Sequence, residues 1–313
     1  MAKASGNSSA QNWPSLQLGE WNQTRRTLHM LTQMAGKVKL ALSPFLNQWW
    51  QVTFYLTASG LTSGLIPFKK GVFEVNFDFN NHKLPVRTGD GREKTMALEP
   101  KSVADFYREF MENLKSLGIE VSINLLPSEI ANPIPFDRDQ KDFAYDKEFV
   151  SRWHTIQLQT ALVMERLRTN FRGKSSPVQF FWGGFDLNAT RFSGNVLPDK
   201  TDWPKGFKFM RYAESEENFA CGFWPGDERF PHPAFYAYIY PAPAGYEGIN
   251  PGPSFAYFNK ELSECIMPYE DVRKAENPEE MIAHFFQTTY IESAKMAGWD
   301  IESLVGRVPG KTI

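Results

Sequence analysis

Residues 180–258 hold 21 of the chain's 46 aromatic side chains within 79 positions, interleaved throughout with Gly and Pro. Gly and Pro are the poorest helix formers, whereas aromatic residues fit a pleated, half-buried surface. This block therefore predicts short strands and tight turns wrapped around something flat or apolar. That object is either the protein's own core or a ligand.

The remaining composition is that of a globular protein, with 42% hydrophobic and 22% charged residues in 313. Net charge is −2 and no stretch concentrates Lys and Arg, so nucleic acid is not an expected partner. Cys221 and Cys265 are the two cysteines, too few and too far apart for a disulfide framework or a metal box. Neither a metal site nor a cofactor is expected. The first 12 residues lack the apolar run of a signal peptide and read as a disordered leader. No stretch approaches the length of a membrane span, so a membrane is not an expected partner and the cytoplasm is the expected compartment.

Periodicity predicts an α+β fold. Trp21, Leu28, Ala35, Val38 and Leu42 recur at helical spacing over 18–42, and Pro44 ends that element. Alternation marks strands over Trp49–Leu61, Val72–Phe79, Leu84–Val86 and Thr95–Leu98, with turns at Asn80-Asn81 and Gly89-Asp90-Gly91. Ser102 and Asp105 cap a helix whose stripe is Val103, Phe106, Phe110, Leu114 and Leu117, stopped by Gly118. Ile119–Leu125 reads as a strand and 127–145 as a linker. Asp146 caps a second long helix, carrying Phe149, Trp153, Ile156 and Met164 and closed by Gly173. Strands follow near 178–192, 218–224, 234–241 and 254–259. Asn277-Pro278 opens a last helix that runs to Gly298.

Each half thus reads helix, four strands, helix: 13–126 and 146–313. Sliding the chain on itself by 131 places Gln48, Phe54, Leu56, Ala58 and Pro67 over Gln179, Phe185, Leu187, Ala189 and Pro198. The expectation is an internally duplicated α-β4-α unit with antiparallel sheets and helices packed on one face. In such strands Phe181, Gly183, Phe185, Leu187 and Ala189 share one face, leaving Phe180, Trp182, Gly184, Asp186, Asn188 and Thr190 on the other. A solvated sheet face would carry Lys, Glu and Thr. Rings mixed with short polar groups line ligand clefts, and they also line the packing of helices on a sheet. Both readings stay open.

Few groups could do chemistry. Asp186 sits among rings, where desolvation favours a proton-transfer carboxyl, and Arg191 is near enough in sequence to be its ion-pair partner. The segment Trp224-Pro225-Gly226-Asp227-Glu228-Arg229-Phe230-Pro231-His232 offers a second acid–base candidate in His232, or an ordinary capped turn. No zinc signature, serine-nucleophile elbow, phosphate loop or dinucleotide fingerprint is present.

The runs WPSLQLGEW (13–21), TLHMLTQ (27–33), NQWWQV (47–52), SPVQFFWGGFDL (176–187), TRFSG (190–194), GFWPG (222–226) and AFYAYIYPAP (234–243) resemble a bacterial family catalogued as domain of unknown function 5996. The resemblance extends from Trp13 to about Trp299. It implies one full-length family unit and brings no activity, because the family is uncharacterised; His29, Asp186, Arg191 and the Trp224–Gly226 turn match its pattern. The leading expectation is a small, partly apolar ligand, with Trp49, Trp182 and Trp224 as stacking surfaces and His29, Asp186 and Arg191 fixing polar groups. The alternatives are a hydrolase or isomerase using Asp186 or His232 for proton transfer, and a structural or interaction protein with no ligand site.

Overall fold

A computed structural model describes residues 13–306. The expected leader lies outside the described residues, as does the end of the tail. The described residues form two compact units: Leu16–His154 with Phe180–Asp186, and Thr155–Gln179 with 187–306 and 13–15. Among the described residues, seven α-helices and two antiparallel sheets make the fold α+β.

The first unit is built on α1 (Leu18–Leu42), ended at Ser43 just before Pro44. Its sequence predicts one apolar stripe, yet every residue from Thr27 to Lys39 is buried. The polar ones are therefore held by specific partners, as buried polar groups must be. Lys39 Nζ donates to the carbonyls of Thr53 and Ser63 at 2.6 and 2.5 Å, and burial pulls its ammonium down to about 8. Six strands follow: β1 (Tyr55–Thr57), β2 (Gly60–Thr62), β3 (Ile66–Phe68), β4 (Gly71–Asp78), β5 (Lys83–Thr88) and β6 (Glu93–Ala97), in the order β1-β2-β4-β5-β6 with β3 also on β4. Phe73, Val75, Phe77, Leu84, Val86 and Met96 alternate into the core. Helix α2 (Val103–Ser116) starts as expected: Ser102 Oγ accepts from Asp105 N at 3.1 Å. It closes at Gly118, whose φ of 75° lets Ile119 N return to Leu114 O.

One expected strand in this unit is split and another does not form. Gln48 and Trp49 adopt left-handed φ values of 54° and 58°, so Trp49–Leu61 is a 3-10 turn followed by β1, a Thr57-capped turn and β2. Ile119–Leu125 runs extended but belongs to no strand ladder. The stretch 127–145 is pinned rather than patterned, with Phe136 and Tyr145 buried and Arg26 bonded to Asp142 at 2.9 Å.

Helix α3 (Lys147–Arg168) begins in the first unit, where Asp146 Oδ1 caps Glu148 N and Phe149 N. Trp153 is the hub of the first unit's ring cluster, stacked on Phe185 at 5.0 Å and edge-on to Phe79 and Phe180. Phe180 and Phe185 belong to the aromatic block, brought in by β7 (Gln179–Phe181) and the turn after it. Phe54 and Phe180 exchange both backbone hydrogen bonds, at 2.9 and 2.8 Å.

The second unit contains β8 (Asp186–Val196, from Leu187), β9 (Glu216–Trp224), β10 (Ala234–Tyr240), β11 (Tyr257–Asn259) and β12 (Glu264–Pro268), in the order β11-β12-β10-β9-β8. Strand β12 had no sequence signal strong enough to be read. Between β8 and β9 lies α4 (Met210–Ala213); α5 (Tyr269–Arg273), α6 (Pro278–Met296) and α7 (Ile301–Leu304) complete the unit. Pro278 is the first residue of α6, but Asn277 makes no side-chain cap. Helix α6 packs on β9 and β10, with Phe286 against Phe235 and Tyr290 against Phe219.

The expected single strand over 178–192 is broken by a turn at 182–185, where Phe185 has φ 61°. That break resets the alternation, so Trp182 does not continue the face of Asn188 and Thr190. The internal duplication is not confirmed. The segments it would superpose, 48–58 and 179–189, have different backbones, and their residues Phe54 and Phe180 instead pair with each other.

Candidate functional site

The second sheet has an inner and an outer face set by strand alternation. Arg191, Cys221, Phe223 and Phe235 lie on the side of α6. The outer face carries the other parity, and register aligns it into rows. Asn188, Gly222, Tyr236 and Ile266 stand side by side across β8, β9, β10 and β12. Thr190, Ala220 and Tyr238 form the next row, and Trp224, Ala234 and Pro268 the row on the other side. Asn218 opposite Tyr240 ends the sheet.

The result is a ladder of rings. Tyr236 and Tyr238 stack at 16° with centroids 6.3 Å apart, and Trp224 stacks on Phe230 at 20° and 6.1 Å. Trp224, Phe230, Tyr238 and Leu262 are half-buried against the buried trio Ala234, Tyr236 and Ile266. Gly222 makes the ladder flat. A Cβ there would lie 1.8 Å from the Leu187 carbonyl and 2.8 Å from Tyr236 Oη, so Tyr236 can lie down across the strand only because the side chain is absent. Its hydroxyl donates to Leu187 O at 3.3 Å and accepts from Asn188 Nδ2 at 3.0 Å. Thr190 Oγ1 donates to Asn188 Oδ1 at 2.9 Å, which fixes the amide's orientation.

One end of the ladder holds a carboxyl that sequence reasoning missed. Glu214 is only 8% exposed, and its Oε2 accepts from Asn218 Nδ2 at 2.6 Å. Burial pushes this carboxyl up to about 7, with the Asn218 bond pulling the other way. Half-buried Tyr240 is beside it; burial and then the Glu214 charge raise its phenol. Trp203 lies 6.1 Å from Tyr240, with Lys200 over its ring at 4.4 Å and its buried Nε1 without a hydrogen-bond partner. In the sequence Glu214 belongs to Glu214-Ser215-Glu216-Glu217, which looks like a solvated acidic run. Only tertiary burial distinguishes it.

The other end of the ladder is the turn 225–233. Gly226 has φ 81°, and a Cβ there would meet the carbonyls of Phe230 and His232 below 3 Å. Asp227 Oδ1 caps Arg229 N and Phe230 N, and its Oδ2 pairs with the Arg229 guanidinium at 2.8 Å. His232 is exposed, edge-on to Phe230 at 5.5 Å.

The expected site residues separate. Trp224 and His232 lie on or beside the ladder, whereas Arg191 points to the inner face. His29, Trp49, Trp182 and Asp186 belong to the first unit. There His29 and Trp182 do meet: His29 Nε2 lies 2.9 Å from the carbonyls of Trp182 and Gly183 and 3.0 Å from the Gln33 amide nitrogen. Trp182 is buried over Gly36 and donates Nε1 to Val52 O at 2.8 Å, so its ring is packing rather than an open platform. Asp186 is half-buried and close to Gly184, and Trp49 is half-buried against Phe45. Among the described residues, no group of three His, Cys, Asp or Glu side chains could hold a metal ion, and no helix is long and apolar enough to cross a membrane.

Fold and face together define a two-sheet α+β protein with an aromatic outer sheet face and a buried, near-neutral carboxyl at its end. The chain belongs to a family described as "Family of unknown function (DUF5996)", whose model matches residues 13–305. No curated protein and no solved structure matches it.

Proposed function

We propose that the protein binds a small, partly apolar ligand along the outer face of the second sheet. The observation that carries this reading is the ladder itself: Trp224, Phe230, Tyr236 and Tyr238 on a sheet face, flattened by Gly222 and terminated by Glu214 and Asn218. Clefts for small molecules combine apolar and aromatic walls with a few placed polar groups. Glu214 in its neutral form donates a hydrogen bond, and half-buried Trp224, Phe230 and Tyr238 offer ring surface. We place this activity in the cytoplasm, which two unpaired cysteines, Cys221 and Cys265, support.

One observation favours an enzyme as the second reading. A carboxyl titrating near 7 is matched to proton transfer at neutral pH, so a hydrolase or isomerase would use Glu214 ahead of Asp186 or His232.

The test is a thermal-shift screen of wild type against aromatic and heterocyclic metabolites, since a ligand selective for the folded state raises the midpoint. Hits should disappear in Trp224→Ala and Tyr238→Ala. Hits retained in both variants would end the ladder reading. Turnover of a hit that Glu214→Gln abolishes without weakening binding would select the enzyme.

A further inference from the structure

The inner face of the second sheet buries a charge that no carboxylate balances. Arg191 is 8% exposed. Its Nη2 donates to the Leu167 carbonyl at 2.8 Å, and its guanidinium lies 4.4 Å from the Tyr290 ring and 5.3 Å from that of Phe171. Among the described residues it forms no ion pair. Two rings and one carbonyl offset part of the cost of burying a cation, but a desolvated charge ordinarily needs a counter-charge. Cys221 is an acidic neighbour, but burial pushes its thiol up to about 12, so it stays neutral. Glu165 is paired with Arg168 Nη1.

A cavity of about 10 Å³ lies between these groups, bordered by Arg168, Arg191, Ser175, Cys221, Phe219 and Phe286. That is room for one water-sized occupant. Arg168 Nε is a buried donor without a hydrogen-bond partner. The second cation beside Arg191 further disfavours a bare charge there. We infer that this cavity is an anion site, in which Arg191 and Arg168 hold a single small monovalent anion such as chloride. The volume excludes phosphate or a carboxylic acid, and the two guanidinium groups that border it favour a negative occupant over water. The ion is structural: it neutralises Arg191 where β8, α3 and α6 pack.

The experiment compares thermal midpoints of the wild-type protein in sodium chloride and sodium gluconate at one ionic strength, so that general screening cancels. Chloride should raise the midpoint progressively, with a shift of ~100-fold in the folding equilibrium at a hundred times its dissociation constant. Arg191→Met should abolish the difference. Bromide-soaked crystals provide a check that needs no variant, through anomalous density beside the Arg191 guanidinium. Equal midpoints in the two salts, or bromide density only elsewhere, would show that the cavity holds water and overturn the assignment.

Discussion

The outer faces of the two sheets are built from different side chains. On the first, Glu74, Arg87 and Glu93 align across β4, β5 and β6, with Arg87 within 3.6 Å of Glu74 and 2.8 Å of Glu93. Asp78 stands opposite Lys83 in the same sheet. This is what a face in water looks like. On the second, the equivalent surface carries Trp224, Tyr236, Tyr238 and Tyr240 with Asn188 and Asn218, and its buried carboxyl is held by an amide rather than a cation. The same chain knows how to make a solvated sheet face, so the second face departs from one for a reason other than ignorance of solvent. Ligand binding is the reason proposed above.

Substitutions can break this contrast in graded steps. Gly222→Val should be the most damaging, because its Cβ would overlap the Leu187 backbone. A loss of ~3 kcal/mol or more in urea unfolding is expected. Asn76→Val, on the first sheet's outer face, should stay within ~0.5 kcal/mol. A similar loss for both would erase the distinction.

Glu214 comes next, and its effect depends on pH. Its carboxyl titrates near 7 in the folded protein and at 4.5 by default. Between those values the folded state keeps a proton that the unfolded state has lost. Wild-type stability therefore falls as pH rises from 4.5 to about 7 and stays reduced above. The full loss is ~3 kcal/mol at about 1.4 kcal/mol per pH unit. Glu214→Gln should flatten this segment and be the more stable protein at pH 8, measured by midpoints across buffers. A parallel pH profile in the variant would refute the assignment.

Tyr236→Phe should cost ~1–2 kcal/mol, since it leaves Asn188 Nδ2 buried without its acceptor; an unchanged midpoint would show that this hydroxyl contributes nothing. The smallest effect is expected from Arg87→Ala, at most ~1 kcal/mol and vanishing in high salt, because its pairs are exposed. A salt-independent loss would show that Arg87 does more than decorate a wet surface.

Much of the fold was legible because local rules sufficed. Ser102 with Asp105, Asp146, and the alternation of Val72–Phe79 act through neighbours in sequence, and all appear where expected. What failed was decided at a distance. Left-handed Gln48, Trp49 and Phe185 are not residue types that announce a positive φ, and each breaks an alternation that reads as continuous strand. The ladder proposed above as a ligand face was legible as an aromatic block but not residue by residue. The aromatic block does supply the ladder, yet Trp182 became packing, Arg191 turned inward, and Glu214 was hidden in a run of acids. Rings, arginines and carboxylates change meaning with burial, which spacing does not report.

Residues 180–186 belong to the first unit, although the chain on both sides of them is part of the second. A gene fragment ending at His154 would encode Trp153 without Phe180 and Phe185, the rings it packs against, and would leave the Phe54 strand edge unbonded. No single cut of the gene separates the two units. The two are bound into a single heritable piece, and a half-length homologue that folds would have to carry a substitute for those seven residues.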